Sequence, residues 1–79
     1  MTTLDQLQIG QRGRIEAIQG QGALLQRLLE MGLLEGEEIE VVALAPFGDP
    51  IEIQLRDYRL SLRRSEAARV SLQVLGSKE

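Results

Sequence analysis

Ile51-Glu52-Ile53-Gln54-Leu55-Arg56-Asp57-Tyr58-Arg59-Leu60-Ser61-Leu62-Arg63 alternates apolar and polar residues on both sides of a short polar interruption. A period of two is the signature of a half-buried strand. Ile51, Ile53 and Leu55 point one way and Glu52, Gln54 and Arg56 the other. Beyond the interruption, Tyr58, Leu60 and Leu62 alternate with Arg59, Ser61 and Arg63. The stretch therefore reads as a hairpin with Asp57 at or near its tip. Asp accepts the left-handed conformation better than most side chains and worse than Gly, so strain is expected at Asp57.

Upstream of the hairpin, Glu38-Ile39-Glu40-Val41 alternates cleanly and runs into Val42 to Ala45, a strand that Pro46-Phe47-Gly48-Asp49-Pro50 stops. Ala23 to Met31 places leucines at 24, 25, 28 and 29, the spacing of a helix with one apolar face, and Gly32 follows as a left-handed C-cap. Arg12 to Ile18 is β-compatible, and Gly20-Gln21-Gly22 breaks it. Near the start, Thr3 can cap a single turn with Gln6 reaching back. Downstream, Ser65 can cap a second turn through Ala68, and Val70, Leu72 and Val74 supply the last strand.

The sum is mainly β: five short strands with one helix inserted between strands 1 and 2, the whole of residues 1–79 forming a single domain. Five hairpin-connected strands curl naturally into a small barrel. An OB-fold would place its helix between strands three and four and stack bases on exposed aromatics, and Phe47 and Tyr58 are the only aromatics here. A five-stranded SH3-like barrel fits better.

Composition narrows the chemistry. The apolar supply is 14 Leu, 6 Ile and 4 Val, so the core is expected to be aliphatic. With no Cys and no His, the chain has no thiolate or imidazole to ligate a metal or activate a nucleophile. A net charge of −3 argues against nucleic acid as a partner. The longest apolar run, Val41 to Phe47, is too short to cross a bilayer and contains Pro46, and the first residues lack the pattern of an export signal. The expected location is cytoplasmic, and the chain is not expected to be membrane-embedded.

Charge is also unevenly spread. Residues 30–52 carry seven acids and no Lys or Arg, whereas residues 54–70 carry five Arg against Asp57 and Glu66. Two readings follow. In one, the charges lie on solvated faces of one sheet and offset each other across strands. In the other, they form a bipolar surface that orients a protein partner.

Catalysis is not expected, because Glu35, Glu37, Glu38 and Glu40 fall on a turn and a polar strand face, where solvent keeps carboxylates ordinary. No calcium-loop spacing accompanies Asp49, Glu52 or the acidic cluster, and the glycines before the helix match no phosphate-loop motif. No cofactor or metal is implied. Binding to another protein remains. One of Leu33 and Leu34 is expected to be exposed beyond the helix end that bears Arg27 and Met31. Met31 itself is read as core before contact. Phe47, on a loop stiffened by a proline at each end, is read first as a core plug, because a buried aromatic carries so much area, and second as an anchor for a partner.

Four motifs then stand together in order. They are Gly13-x-Ile15-x-x-Ile18-x-Gly20, Arg27-Leu28-x-Glu30-Met31-Gly32-Leu33-x-x-Gly36, Ala45-Pro46-Phe47-Gly48-Asp49-Pro50-Ile51-Glu52-Ile53, and Leu60-Ser61-Leu62-Arg63-x-x-Glu66-Ala67. Together they resemble the FeoA family of ferrous iron transport accessory proteins, from about Leu4 to Leu75. The chain departs from the family at Asp57, where Gly usually precedes the Tyr of the second hairpin.

The resemblance implies an SH3-like barrel working in the cytoplasm with FeoB, a Fe²⁺ transporter whose cytoplasmic portion contains a GTP-binding domain. It implies a non-catalytic regulatory role in iron homeostasis, with Arg27, Met31, Leu34, Pro46, Phe47, Asp49 and Arg63 as the partner-binding candidates. Two alternatives stay open: an Arg such as Arg63 or Arg27 acting in trans on GTP hydrolysis, or a generic SH3-like interaction module. Recognition of proline-rich peptides is disfavoured, since such grooves need several aromatics. A core of this size without a staple leaves weak homo-oligomers open.

Overall fold

In the computed structural model, which describes residues 2–77, all five expected strands are present and a sixth, two residues long, precedes them. The order is β1 (Thr2–Thr3), a 3₁₀ turn (Leu4–Gln6), β2 (Gln11–Ile18), α1 (Gly22–Glu30), β3 (Glu38–Leu44), β4 (Ile51–Leu55), β5 (Tyr58–Leu62), α2 (Arg64–Ala67) and β6 (Val70–Ser77). All neighbours are antiparallel, in the sheet order β1-β6-β2-β3-β4-β5. Register shifts in β2 against β6, at Arg12/Gly13 and Ile15/Ala17, and in β3 against β4, at Val41/Ala43, bend the long strands. Extra residues of this kind increase local twist, which lets a short sheet curl over its own inner face.

That inner face is aliphatic throughout. Leu4, Ile15, Leu28, Leu33, Ile39, Val41, Ile51, Ile53, Leu55, Leu62 and Val70 are essentially inaccessible. The sheet strands supply most of them, and α1 adds Leu28, with Leu24 and Met31 packed alongside, one helical turn to either side. The two aromatics stay outside this core. Phe47 is 98% exposed and Tyr58 40% exposed. The plug reading of Phe47 is therefore wrong, and the physical reason is local: the loop that carries it is tied outward by hydrogen bonds described below.

The hairpin tip also differs from expectation. Leu55 pairs with Tyr58, so the loop is only Arg56-Asp57, and it is Arg56 that takes the left-handed φ of 57°. Some two-residue hairpin turns place positive φ at the first central position, which is usually Gly. Arg56 accepts a conformation costing about 1 kcal/mol or more. Gln54 Nε2 donates to its carbonyl at 3.0 Å and its guanidinium is held by Glu37. The second turn differs as well: Arg63, not Ser65, occupies the N-cap of α2, because the Glu66 carboxylate receives the Arg63 backbone N–H.

Gly32 ends the α1 segment at φ 96°, as the sequence implied. Its missing side chain matters twice. Tyr58 Oη donates to the Met31 carbonyl at 3.0 Å, and a Cβ on residue 32 would collide with that Tyr58 Oη. Gly32→Ala is expected to destabilise the fold by about 1–3 kcal/mol in urea denaturation. In a Tyr58→Phe background the penalty should fall to the backbone share, about 1 kcal/mol.

Candidate functional site

Glu66 is the centre of the corner where α1, β5 and α2 meet. It sits on the single turn of α2 and is 4% exposed, the one ionisable side chain among the described residues that is buried. Oε1 accepts the Arg63 N–H at 2.8 Å, and Oε2 lies 2.7 Å from Nη1 of Arg27, which reaches across from the last turn of α1. A buried carboxylate left without a cation is costly, so this pair fixes the end of α1 against the β5–α2 corner. Between them lies a groove of about 430 Å³ lined by Arg27, Asp49, Pro50, Ser61, Arg63 and Glu66.

The loop beside the groove is equally constrained. Ala45 N–H donates to Pro50 O at 3.1 Å and Gly48 N–H to Ala45 O at 2.7 Å. The Arg64 backbone N–H donates to Asp49 Oδ1 at 2.9 Å, while its guanidinium donates from Nη1 to Gly48 O and from Nη2 to Asp5 O, both at 3.0 Å. Phe47 stands at the apex of this clamped loop, fully in solvent.

Of the seven partner-binding candidates, the structure gathers Arg27, Asp49 and Arg63 in the groove and places Pro46 and Phe47 on the loop that carries Asp49. Met31 is half-buried against the core. Leu33 is fully buried and Leu34 is 46% exposed, so one of the pair faces solvent as expected. Neither Met31 nor Leu34 lines the groove. Arg27 is committed to Glu66, whereas Arg63 has no ion pair among the described residues. In the sequence, Ser61 and Glu66 stand in the fourth motif and Arg64 in the basic stretch, and none of the three reads as a site residue. Only Glu66 left a trace there, as a carboxylate three residues after the N-cap beside apolar Ala67.

A second cleft, of about 410 Å³, opens on the outer face of the sheet between Arg12, Glu37, Glu38, Glu40, Gln54 and Arg56. Glu37 is not an ordinary solvated carboxylate. Arg56 Nε donates to its Oε2 at 3.0 Å and Arg56 Nη2 to its Oε1. These bonds hold the Glu37 carboxyl below the usual carboxylate range and raise the Arg56 guanidinium above its own. Arg14 with Glu38 and Arg59 with Glu52 form further pairs, so acidic and basic stretches do offset each other across strands. Among the described residues no group of three carboxylates gathers where it could hold a metal ion. No helix among them is long and apolar enough to cross a membrane.

A curled antiparallel sheet with a helix in its first long connection defines a small SH3-like barrel. The FeoA domain family model matches residues 2–74, and the chain belongs to that family. A Porphyromonas gingivalis protein, an Fe(2+) transport protein A/Fe(2+) transporter FeoB fusion, is 38% identical over 74 residues, which is 94% of this chain and 9% of that protein. The chain thus spans about a tenth of the curated relative it matches. The solution structure of iron(II) transport protein A from Clostridium thermocellum superposes with a TM-score of 0.89 at 36% identity, covering 94% of this chain and 46% of that one. Stenotrophomonas maltophilia FeoA, crystallised with zinc and called a prokaryotic SH3 domain protein, gives 0.81 at 35% identity, covering 92% of this chain and 91% of that one.

Two expectations follow from these ion pairs. A carboxylate whose pKa is lowered by folding adds stability above its unfolded pKa and loses it as pH falls through the folded value. The stability difference between the native chain and Glu37→Gln should therefore be largest near pH 7 and vanish well below about 4, when Glu37 is protonated. Chemical denaturation at both pH values measures it. Arg27→Ala should cost about 1–2 kcal/mol, moderated by the partial exposure of Arg27, and less in a Glu66→Gln background, where no buried charge is stranded.

Proposed function

We propose that this chain is a non-catalytic accessory protein of ferrous iron uptake that acts in the cytoplasm and docks on the GTP-binding cytoplasmic portion of a FeoB-like transporter. The observation that carries this reading is the relative in which the same domain and FeoB are one polypeptide. Covalent fusion holds two partners at high effective concentration, an arrangement useful only where they touch. The docking surface is the clamped loop Pro46 to Pro50 with the helix end from Arg27 to Leu34, and its anchor is Phe47. An aromatic ring held in water by a rigid loop loses little conformational entropy on burial, which is what makes such side chains dominate interfaces. Arg27 is a poor probe of docking, because Arg27→Glu would also set two carboxylates against each other at Glu66.

A second reading, in which an Arg enters the nucleotide site in trans, is favoured at Arg63 over Arg27, since Arg63 has no ionic partner among the described residues. GTP hydrolysis by the transporter's cytoplasmic portion, with and without this chain, separates the two readings: docking alone leaves the rate unchanged. For the first, Phe47→Ala should weaken affinity for that purified portion, loaded with GDP or a GTP analogue, by about tenfold or more. Thermal unfolding should not change, because the ring touches almost nothing in the folded chain. Undiminished affinity would remove Phe47 from the interface.

A further inference from the structure

We propose that the outer edge of β5 is a docking edge for an extended, acidic segment of a protein partner, added to the sheet as its seventh strand. β5 ends the sheet, and among the described residues its ladder runs to β4 alone. The two-residue loop makes Leu55 and Tyr58 a hydrogen-bonded pair, so Tyr58, Leu60 and Leu62 turn their N–H and C=O toward β4. Arg59 and Ser61 then turn theirs outward. Arg63 is next in that alternation, and its outward N–H is the one satisfied by Glu66 Oε1 at 2.8 Å. The capped Arg63 thus marks where the free stretch ends, and the groove lined by Ser61 and Arg63 opens at the same point.

The side chains along this edge say what would sit there. On one face, Tyr58 is 40% exposed and Leu60 half-buried, an apolar row against which alternate residues of an added strand can lean. On the other, Arg59 and Arg63 are exposed; Arg59 pairs with Glu52 and Arg27, beside the groove, with Glu66, so Arg63, which has no ion pair among the described residues, is the cation left for an acidic residue of the added strand. Alternating apolar and acidic residues complement both faces at once. A second copy of this chain fits less well, since antiparallel pairing of two β5 edges centred on Arg59 or Ser61 would bring Arg against Arg. This edge meets the Phe47 loop at the groove, which Asp49 and Pro50 also line, but strand addition does not use the Phe47 ring, so the proposal holds whether or not that ring docks on FeoB.

The test uses the whole chain and a blocked hexapeptide of alternating valine and glutamate, followed by amide hydrogen exchange in NMR. In the free chain the Arg59 and Ser61 amides should exchange fast while Tyr58, Leu60 and Leu62 are protected. Saturating peptide should slow Arg59 and Ser61 by about tenfold or more. Ser61→Pro removes one outward donor at a position where edge strands tolerate proline, and should abolish the effect. Arg63→Glu, which leaves the backbone ladder intact, should weaken the glutamate peptide and strengthen a valine–lysine one. The proposal fails if Arg59 and Ser61 are already protected in the free chain, or if their protection grows with chain concentration alone. Equal response of the native chain to both peptides would also overturn it.

Discussion

One buried carboxylate organises the end of this molecule where α1, β5 and α2 meet. Glu66 satisfies the first turn of α2 through the Arg63 N–H and holds α1 through Arg27. Remove that charge and the helix end, the groove and the end of the β5 edge lose their common reference point. The hydrophobic core cannot substitute for it. Leu28 buries α1 and Leu33 the segment just beyond it in the core, but apolar contact is non-directional and sets no angle between the helix end and the β5–α2 corner. The ion pair supplies the direction that burial lacks.

The legible part of the fold came from periodicity. The alternation of Ile51, Ile53 and Leu55 with polar residues appears in the structure as a strand buried at every second position, and Leu24 and Leu28 mark the inward side of α1. What the pattern could not carry was any feature decided by a single partner. β1 is two residues long and exists because Thr2 and Thr3 meet Leu72 and Ser71, a pairing with no periodic trace. Positive φ fell on Arg56 instead of Asp57 because the register of β4 with β5 closes the turn there and Glu37, nineteen positions away in sequence, holds the guanidinium.

The site was legible in the same partial way. The helix end and the proline-flanked loop were visible as local motifs, and the structure brings residues from both to one groove. Phe47 was misjudged because size was weighed without the competing hydrogen bonds. A fully buried ring is worth about 2–3 kcal/mol in a small core. Yet the loop backbone here is fixed by Arg64 and by its own Ala45 and Gly48 bonds, and the aliphatic residues close the interior without it. An aromatic ring left in water on a stiff loop contributes almost nothing to the stability of the folded chain.

Arg64 joins parts of the chain that are otherwise far apart. One residue touches the Asp49 carboxylate, the Gly48 carbonyl and the Asp5 carbonyl, so the apex carrying Phe47 and the turn that starts with buried Leu4 share a single rivet. The aromatic tip is thereby fastened through the guanidinium to the opening turn, which the Thr3–Ser71 pairing joins to the final strand. Three stretches remote in sequence meet at one side chain, so truncating Arg64 would slacken the loop tip and the opening turn together.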